Sequence, residues 1–276
     1  MSLDGRILVT GGAGSIGSNL VLSLLTMGAK TIAFDSNEYG LACLEQEAIG
    51  LPLEVAVGDV RDKDRLREVL KDVDVVVHTA ALKRVEMAEF NIVESIKVNV
   101  LGTINVLGVC REESVSRFLL ISSDKAVPTG EMGNYGVTKL IQERLTFACH
   151  APPVCAVARF GNVRGTRGDV FEIWERQKSA GKVFTITNAK MRRFYWSMAE
   201  AIDFIIKCLD MMKGGEIFVP EMKEYNLIDM LKATYGENAI FVEMGQRPGE
   251  VYLHELMTES ERLRAKREPW GWVIKY

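Results

Sequence analysis

The 276-residue sequence predicts an α/β fold, a doubly wound parallel sheet followed by a small C-terminal lobe. Three observations carry this expectation. Short β-branched runs alternate with longer amphipathic stretches through the first two-thirds of the chain. The strand-like runs are apolar almost end to end, as strands covered on both faces require. A glycine-rich turn joins the first strand-like run to the first helix-like stretch.

Strands are expected at Arg6–Thr10, Thr31–Asp35, Leu53–Val57, Val73–His78, Arg117–Ser122 and Val154–Ala158. Helices fall between them at Ser15–Met27, Leu41–Ala48, Lys63–Leu70, Val93–Cys110 and Tyr135–Ala148. Beyond about Phe160 the pattern is less regular, with a helix at Met198–Met212, a strand at Glu216–Val219, a helix at Leu227–Tyr235 and a strand at Ile240–Glu243. C-terminal additions to doubly wound sheets cap the strand ends, where ligands bind. Residues from about 166 to 276 therefore read mainly as a substrate-binding lobe of a single domain whose dinucleotide part is about residues 1–165. No repeat or Pro/Ser-rich linker marks a boundary.

Composition bounds the function. Hydrophobic residues are 47% and charged residues 26%, with a formal net charge of −3 and no Lys/Arg run suited to a polyanion. Nucleic acid is not expected as a partner. Runs such as Val154–Ala158 are too short to cross a bilayer, and the N-terminus shows no basic-then-apolar signal, so no membrane is expected. Cys43, Cys110, Cys149, Cys155 and Cys208 are odd in number and scattered, which reads as buried thiols in a reducing, cytoplasmic setting. No His/Cys/Asp/Glu grouping has metal spacing, and His78, His150 and His254 read as core or isolated residues.

The turn after the first strand contains Gly11, Gly14 and Gly17, with Ser15 and Ile16 opening the helix. Glycine here permits a tight turn and close approach of the backbone to a pyrophosphate, while the helix N-terminus offers free N–H groups. This is the Rossmann dinucleotide pattern, and a plain structural turn is the bland alternative. Asp35 ends the second strand, where a carboxylate accepts ribose hydroxyls and repels a 2′-phosphate, favouring NAD over NADP. Asp59 and Val60 close the third strand near the expected adenine, although Asp59 equally suits an N-cap. Tyr135 and Lys139 lie one helical turn apart on a shared face, so Lys139 is placed to lower the phenol pKa and to hold the nicotinamide ribose.

With Ser122-Ser123-Asp124-Lys125-Ala126, Ala80-Ala81-Leu82-Lys83, Asn99-Val100-Leu101-Gly102-Thr103, Arg159-Phe160-Gly161-Asn162-Val163, Arg193-Phe194 and Arg247-Pro248-Gly249-Glu250, these features resemble an extended short-chain dehydrogenase/reductase group. The group comprises UDP-N-acetylglucosamine 4,6-dehydratases and polysaccharide-biosynthesis proteins of the CapD-like type. The resemblance runs from about Arg6 to Leu256.

It implies that Tyr135 takes the proton of the sugar's C-4 hydroxyl, with Ser123 bonding the same oxygen. A neutral Lys125 would then remove the C-5 proton, and Asp124 in its acid form would protonate the departing C-6 hydroxyl. It implies Ala80, Lys83 and Asn99 beside the cofactor. Lys83, Asn162, Arg193, Arg247 and Glu250 are implied on the UDP-sugar, with Arg167 a further phosphate candidate. The stretch Pro128–Asn134 is slightly longer than in that group. A homo-oligomer through helices Val93–Cys110 and Tyr135–Ala148 is also implied. The rivals are a UDP-sugar C-4 epimerase, which has no use for Asp124-Lys125, a net nucleotide-sugar reductase, and a non-catalytic nucleotide sensor.

Overall fold

The structure, a computed structural model, describes residues 5–128, 130–149, 152–247 and 249–276. Strand and helix alternate first as β1 (Arg6–Thr10), α1 (Ser15–Thr26), β2 (Lys30–Asp35), α2 (Glu38–Glu47), β3 (Leu53–Val57), α3 (Lys63–Val69) and β4 (Val75–His78). The chain continues through α4 (Val85–Phe90), α5 (Ile92–Ser95), α6 (Gly102–Glu112), β5 (Arg117–Ser123), α7 (Asn134–Ala148) and β6 (Val154–Phe160). The second half contains β7 (Asn162–Val163), α8 (Val170–Ser179), β8 (Phe184–Ile186), β9 (Arg192–Trp196), α9 (Met198–Met211) and β10 (Glu216–Pro220). It ends with β11 (Lys223–Asn226), α10 (Leu227–Tyr235), β12 (Phe241–Glu243), α11 (Glu259–Arg264), β13 (Lys266–Glu268) and β14 (Gly271–Lys275).

Among the described residues, nine strands form one sheet in the order β3-β2-β1-β4-β5-β6-β10-β14-β13. The run from β3 to β10 is parallel, and β14 and β13 close that edge antiparallel. The strand order reverses between β1 and β4, and a doubly wound sheet opens its ligand crevice at that switch. Because side chains alternate across a strand, Ile7 and Val9 enter the layer with Leu20, Leu24, Phe204 and Ile205, while Leu8 enters the opposite layer with Ile32, Phe118 and Val106. A separate cluster around Trp174, Ile186, Met191 and Leu231 forms the core of the C-terminal lobe.

The second half differs from the sequence expectation in several elements. Helix α8, capped by the Asp169 side chain on Glu172 N–H, is a helix that periodicity leaves unassigned. Residues 216–220 and 271–275 return to the main sheet, so β10 and β14 add to the dinucleotide part instead of the lobe. Trp270 packs within the chain against Phe204 and Phe218, and Arg267 lies over the Trp272 ring.

Residues Ile92–Glu112 form one helix whose middle turn, Ile96–Leu101, is π-helical. Its 21 residues, with a mean hydropathy of 1.4, are long and apolar enough to cross a membrane by length and composition. This corrects the expectation that no apolar segment reaches that length. Val106, Val109 and Cys110 on this helix are buried in the core.

Candidate active site

A cleft of about 840 Å³ opens over the strand ends at the β1–β4 switch. Gly11, Gly14, Ser15, Ile16 and Gly17 form one wall. Gly11 has φ +68°, and a Cβ there would lie 2.8 Å from Ala80 N. A Cβ at Gly17 would collide with the Gly11 carbonyl, so α1 can rise directly off the turn only without side chains. Unlike α2, α3 and α9, helix α1 has no side-chain cap, and its first turn opens on the cleft. That is a cradle for an anion at a helix N-terminus.

Asp35 lines the same wall, its two oxygens accepting from Ala13 N–H at 3.0 Å and Asn37 N–H at 2.9 Å. Asp59 and Val60 lie beside it. Asp59 caps no helix, that role falling to Asp62. Its carboxylate is held by Arg61, whose hydrogen bonds keep it below the usual carboxylate range.

The reacting end of the cleft is built at the tips of β5 and α7. Ser123 Oγ donates to Asp124 Oδ1 at 2.8 Å, and Lys125 Nζ donates to the same oxygen at 3.1 Å and to Asn162 Oδ1 at 3.3 Å. Asn162 is fixed in turn by its amide donating to Phe194 O at 3.0 Å. Ser123, Lys125, Tyr135, Lys139 and Asn162 all line the cleft. Asp124 does not, being sealed behind them with Oδ2 buried and unpartnered among the described residues. Burial alone would raise its carboxyl. The charge of Lys125 and the hydrogen bonds from Ser123 and Lys125 outweigh that and hold it below the ordinary value.

One sequence expectation changes here. Lys139 Nζ donates to Ile121 O at 2.7 Å, and burial brings its pKa down to about 8. Lys139 does not depress the Tyr135 phenol. Burial first and the Asp124 charge second push that phenol up, while Ser123 pulls it back in part. The Pro128–Asn134 stretch, of which Thr129 lies outside the described residues, leaves Tyr135 within reach of both Ser123 and Asp124.

Asn99 does not reach the cleft. Its amide accepts from Leu82 N–H at 2.7 Å and donates to Leu82 O and to Thr138 Oγ1, so it tethers the 80–83 turn that carries Ala80 and Lys83 into the wall. Lys83 is pushed down by burial and by nearby Arg167. Arg193 lines the cleft, yet its guanidinium donates to Tyr252 O, Val251 O and Glu250 Oε1 and so clamps that segment instead of lying free for a phosphate. Glu250 keeps Oε2 buried and, among the described residues, unpartnered. Arg247 lines the rim 2.7 Å from Glu86, and Pro248 beside it lies outside the described residues, as does His150.

Sequence reasoning missed Tyr195 and His254, which both line the cleft. Tyr195 is raised by burial first, and His254 is held near 3 by burial and by Lys125. The spacing of His254 within a signature resembling Arg-Pro-Gly-Glu was the available signal. His78 is the satisfied core residue expected, bonded to Thr10 and Thr103.

Comparison with known proteins follows the same lines. The chain matches the polysaccharide biosynthesis protein family over residues 7–274. It is 36% identical over 266 residues to a UDP-N-acetylglucosamine 4,6-dehydratase (inverting) of Campylobacter jejuni, covering 93% of this chain and 78% of that one. It is 32% identical over 282 residues to a UDP-glucose 4-epimerase of Rickettsia akari, covering 96% and 81%. It is 40% identical over 275 residues to an uncharacterised membrane protein of Methanocaldococcus jannaschii, covering 94% and 82%.

The X-ray structure of Pen from Bacillus thuringiensis superposes with TM-score 0.93 at 32% identity, covering 100% of this chain and 89% of that one. DesIV, a dTDP-glucose 4,6-dehydratase from Streptomyces venezuelae with NAD bound, shares the fold at TM-score 0.82 and 22% identity, covering 93% and 90%. The chain belongs to the polysaccharide biosynthesis protein family, an extended short-chain dehydrogenase/reductase group of nucleotide-sugar dehydratases and epimerases.

Proposed function

We propose that the protein is an NAD-dependent 4,6-dehydratase of UDP-N-acetylglucosamine or a close UDP-N-acetylhexosamine, forming the 4-keto-6-deoxy sugar with or without inversion at C-5. One observation carries this reading: Lys125 is held by Asp124 and Asn162 in the same cleft as Tyr135. A 4-epimerase needs the tyrosine, but an amine at C-5 would be idle in it.

The residues fit NAD. The glycine cradle and uncapped α1 would take the pyrophosphate, Asp35 the adenosine ribose, Asp59 and Val60 the adenine, and Lys139 the nicotinamide ribose. When bound, NAD⁺ would accept the C-4 hydride and later return it to C-6. Tyr135 takes the proton of the C-4 hydroxyl while Ser123 holds that oxygen. The resulting 4-ketone acidifies C-5, and Lys125 takes the C-5 proton. Because Asp124 is sealed behind Ser123 and Lys125, the pair works as a unit. It collects one proton from C-5 and delivers one to the C-6 hydroxyl, which leaves as water. Arg247 and Glu250 at the rim are assigned to the UDP moiety, and Lys83 to the region between cofactor and sugar.

The exposed Val93, Ile96, Ile104, Val137 and Ile141 support self-association through the two helices expected to form it, and the enzyme is assigned to the cytoplasm. The test is incubation with UDP-N-acetylglucosamine followed by mass and NMR. Loss of one water with a new C-6 methyl and no net NADH is the expected outcome. An unchanged mass with a C-4 epimer would replace this reading by the epimerase, to which the Rickettsia akari relative lends weight.

A further inference from the structure

The turn between β7 and α8 crosses the cleft from the C-terminal half to the glycine cradle. At its tip Arg167 N–H donates to Ser15 Oγ at 3.0 Å, and Arg167 Nη2 donates to the Ala13 carbonyl. On the other side Gly168, at φ +79°, lies near the Arg84 side chain, where an added Cβ would be 3.2 Å from a guanidinium nitrogen. The base of the turn is braced separately. Asp169 Oδ2 accepts from Gly165 N–H at 2.7 Å, Asp169 Oδ1 accepts from Glu172 N–H at 2.7 Å, and Thr166 Oγ1 donates to Val163 O at 3.0 Å. The segment is thus a strap fixed at its root and tied at its tip to residues 152 and 154 positions away in sequence. Ser15, Arg84, Arg167 and Asp169 all face the same cleft.

We propose that residues 164–169 are a clasp that retains the dinucleotide, with Arg167 the positioning residue that latches it to the glycine cradle. The proposal rests on the reading that this cradle holds NAD. Its logic is mechanical. Ser15 of the cradle lines the cleft, and the strap bonds both Ser15 and the Ala13 carbonyl beside it. Release then requires breaking one charge-assisted and one neutral hydrogen bond before the dinucleotide moves. An enzyme that reduces and reoxidises its cofactor within one turnover gains from such a latch. Arg167, a phosphate candidate by sequence, instead donates to Ser15 and Ala13 in the cradle.

The test uses the full chain loaded with NAD and chased with the fluorescent 1,N6-ethenoadenine analogue, so that release is read without sugar turnover. Arg167→Ala should release NAD on the order of 10- to 100-fold faster than the parent, the range for losing a hydrogen bond to a charged group. Asp169→Ala loosens the root of the strap without removing a positive charge, and it should speed release in the same direction. UDP affinity of the NAD-loaded Arg167→Ala protein, read by calorimetry, should stay within about threefold of the parent, well short of the loss of such a bond.

Parental release rates in both variants overturn the clasp. So does parental release with weakened UDP binding, which returns Arg167 to the substrate diphosphate. A parent chain that takes up neither NAD nor the analogue overturns the cofactor reading itself, a result that appears before any variant is made.

Discussion

Asp124→Asn keeps the shape of the buried side chain and removes only its charge, which makes it the sharpest probe of the proposed chemistry. In the parent, Asp124 Oδ1 receives Ser123 Oγ at 2.8 Å and Lys125 Nζ at 3.1 Å, and the side chain is fully buried. Lys125 in the variant loses its charged partner and its route for passing a proton to the C-6 hydroxyl. General acid–base groups contribute roughly 10²- to 10⁴-fold, so water loss should slow by that factor, or about 3–5 kcal/mol in barrier.

Hydride transfer should survive, because Tyr135, Ser123 and Lys139 are untouched. Its pH profile should also move. The Asp124 charge helps to hold the Tyr135 phenol up, so removing it lets the phenolate form at lower pH. Three readings in one experiment decide the matter: C-6 methyl formation by NMR, deuterium uptake at C-5 from heavy water, and transient NADH absorbance against pH. Water loss within about threefold of the parent would falsify the assignment of Asp124-Lys125 to elimination, since a working general acid–base pair contributes far more.

Other expected outcomes are simpler to read. Gly17→Ala drives a Cβ into the Gly11 carbonyl, so NAD content after gel filtration should fall severely while the far-ultraviolet dichroism stays folded. Glu143→Gln disturbs a buried network in which Arg159 donates to Glu143 at 2.6 Å and 2.9 Å and to Glu261 at 3.0 Å and 3.1 Å, and Ser122 donates to Glu143 at 2.6 Å. Arg159 keeps Glu261 as a partner, so losing the Glu143 charge should cost about 1–3 kcal/mol, measurable as a lower urea midpoint, and an unchanged midpoint would refute that reading.

His78 sits at a pKa of about 3 against an ordinary 6.5, chiefly through burial, so it is neutral when folded and protonated when unfolded between those values. Its contribution to stability is complete above about pH 6.5 and is lost as pH falls toward 3, amounting to about 2 kcal/mol lost by pH 5. The thermal midpoint of His78→Asn should therefore fall less than the parent's between about pH 7 and pH 5.

Strands β1 to β6 are legible in the sequence to within two residues at either end, because buried parallel strands are continuous apolar runs bounded by polar residues. The glycine cradle and Asp35 are legible for a related reason, since their function depends on local spacing. What escapes is non-local. Arg159 meets Glu261 across 102 positions, and nothing near either residue announces a buried pair. Arg193 reads as a phosphate ligand from its motif, yet its fate is decided by Tyr252 and Val251, which only the fold brings to it. Asp124 and Lys125 are adjacent in sequence, but the short helical turn after β5 that holds both buries one and presents the other to the cleft. Helix α8 gathers Val170, Phe171, Ile173 and Trp174 in its first half and continues as Glu, Arg, Gln and Lys, so its apolar period is not sustained over enough turns to be recognised.

The π turn at Ile96–Leu101 has a consequence for how this chain tolerates insertion and deletion. Each residue advances an α-helix by about 100°, so the extra residue held in that turn sets the helix before it out of phase with the helix after it. Deleting one residue there would relax the segment into an ordinary, locally more regular helix. It would also swing Asn99 away from Leu82 or Thr103 away from His78, since both cannot stay in step. The irregular turn acts as a phase shifter, and a shortened variant should be well helical yet lose the tether that shapes the Ala80–Lys83 wall.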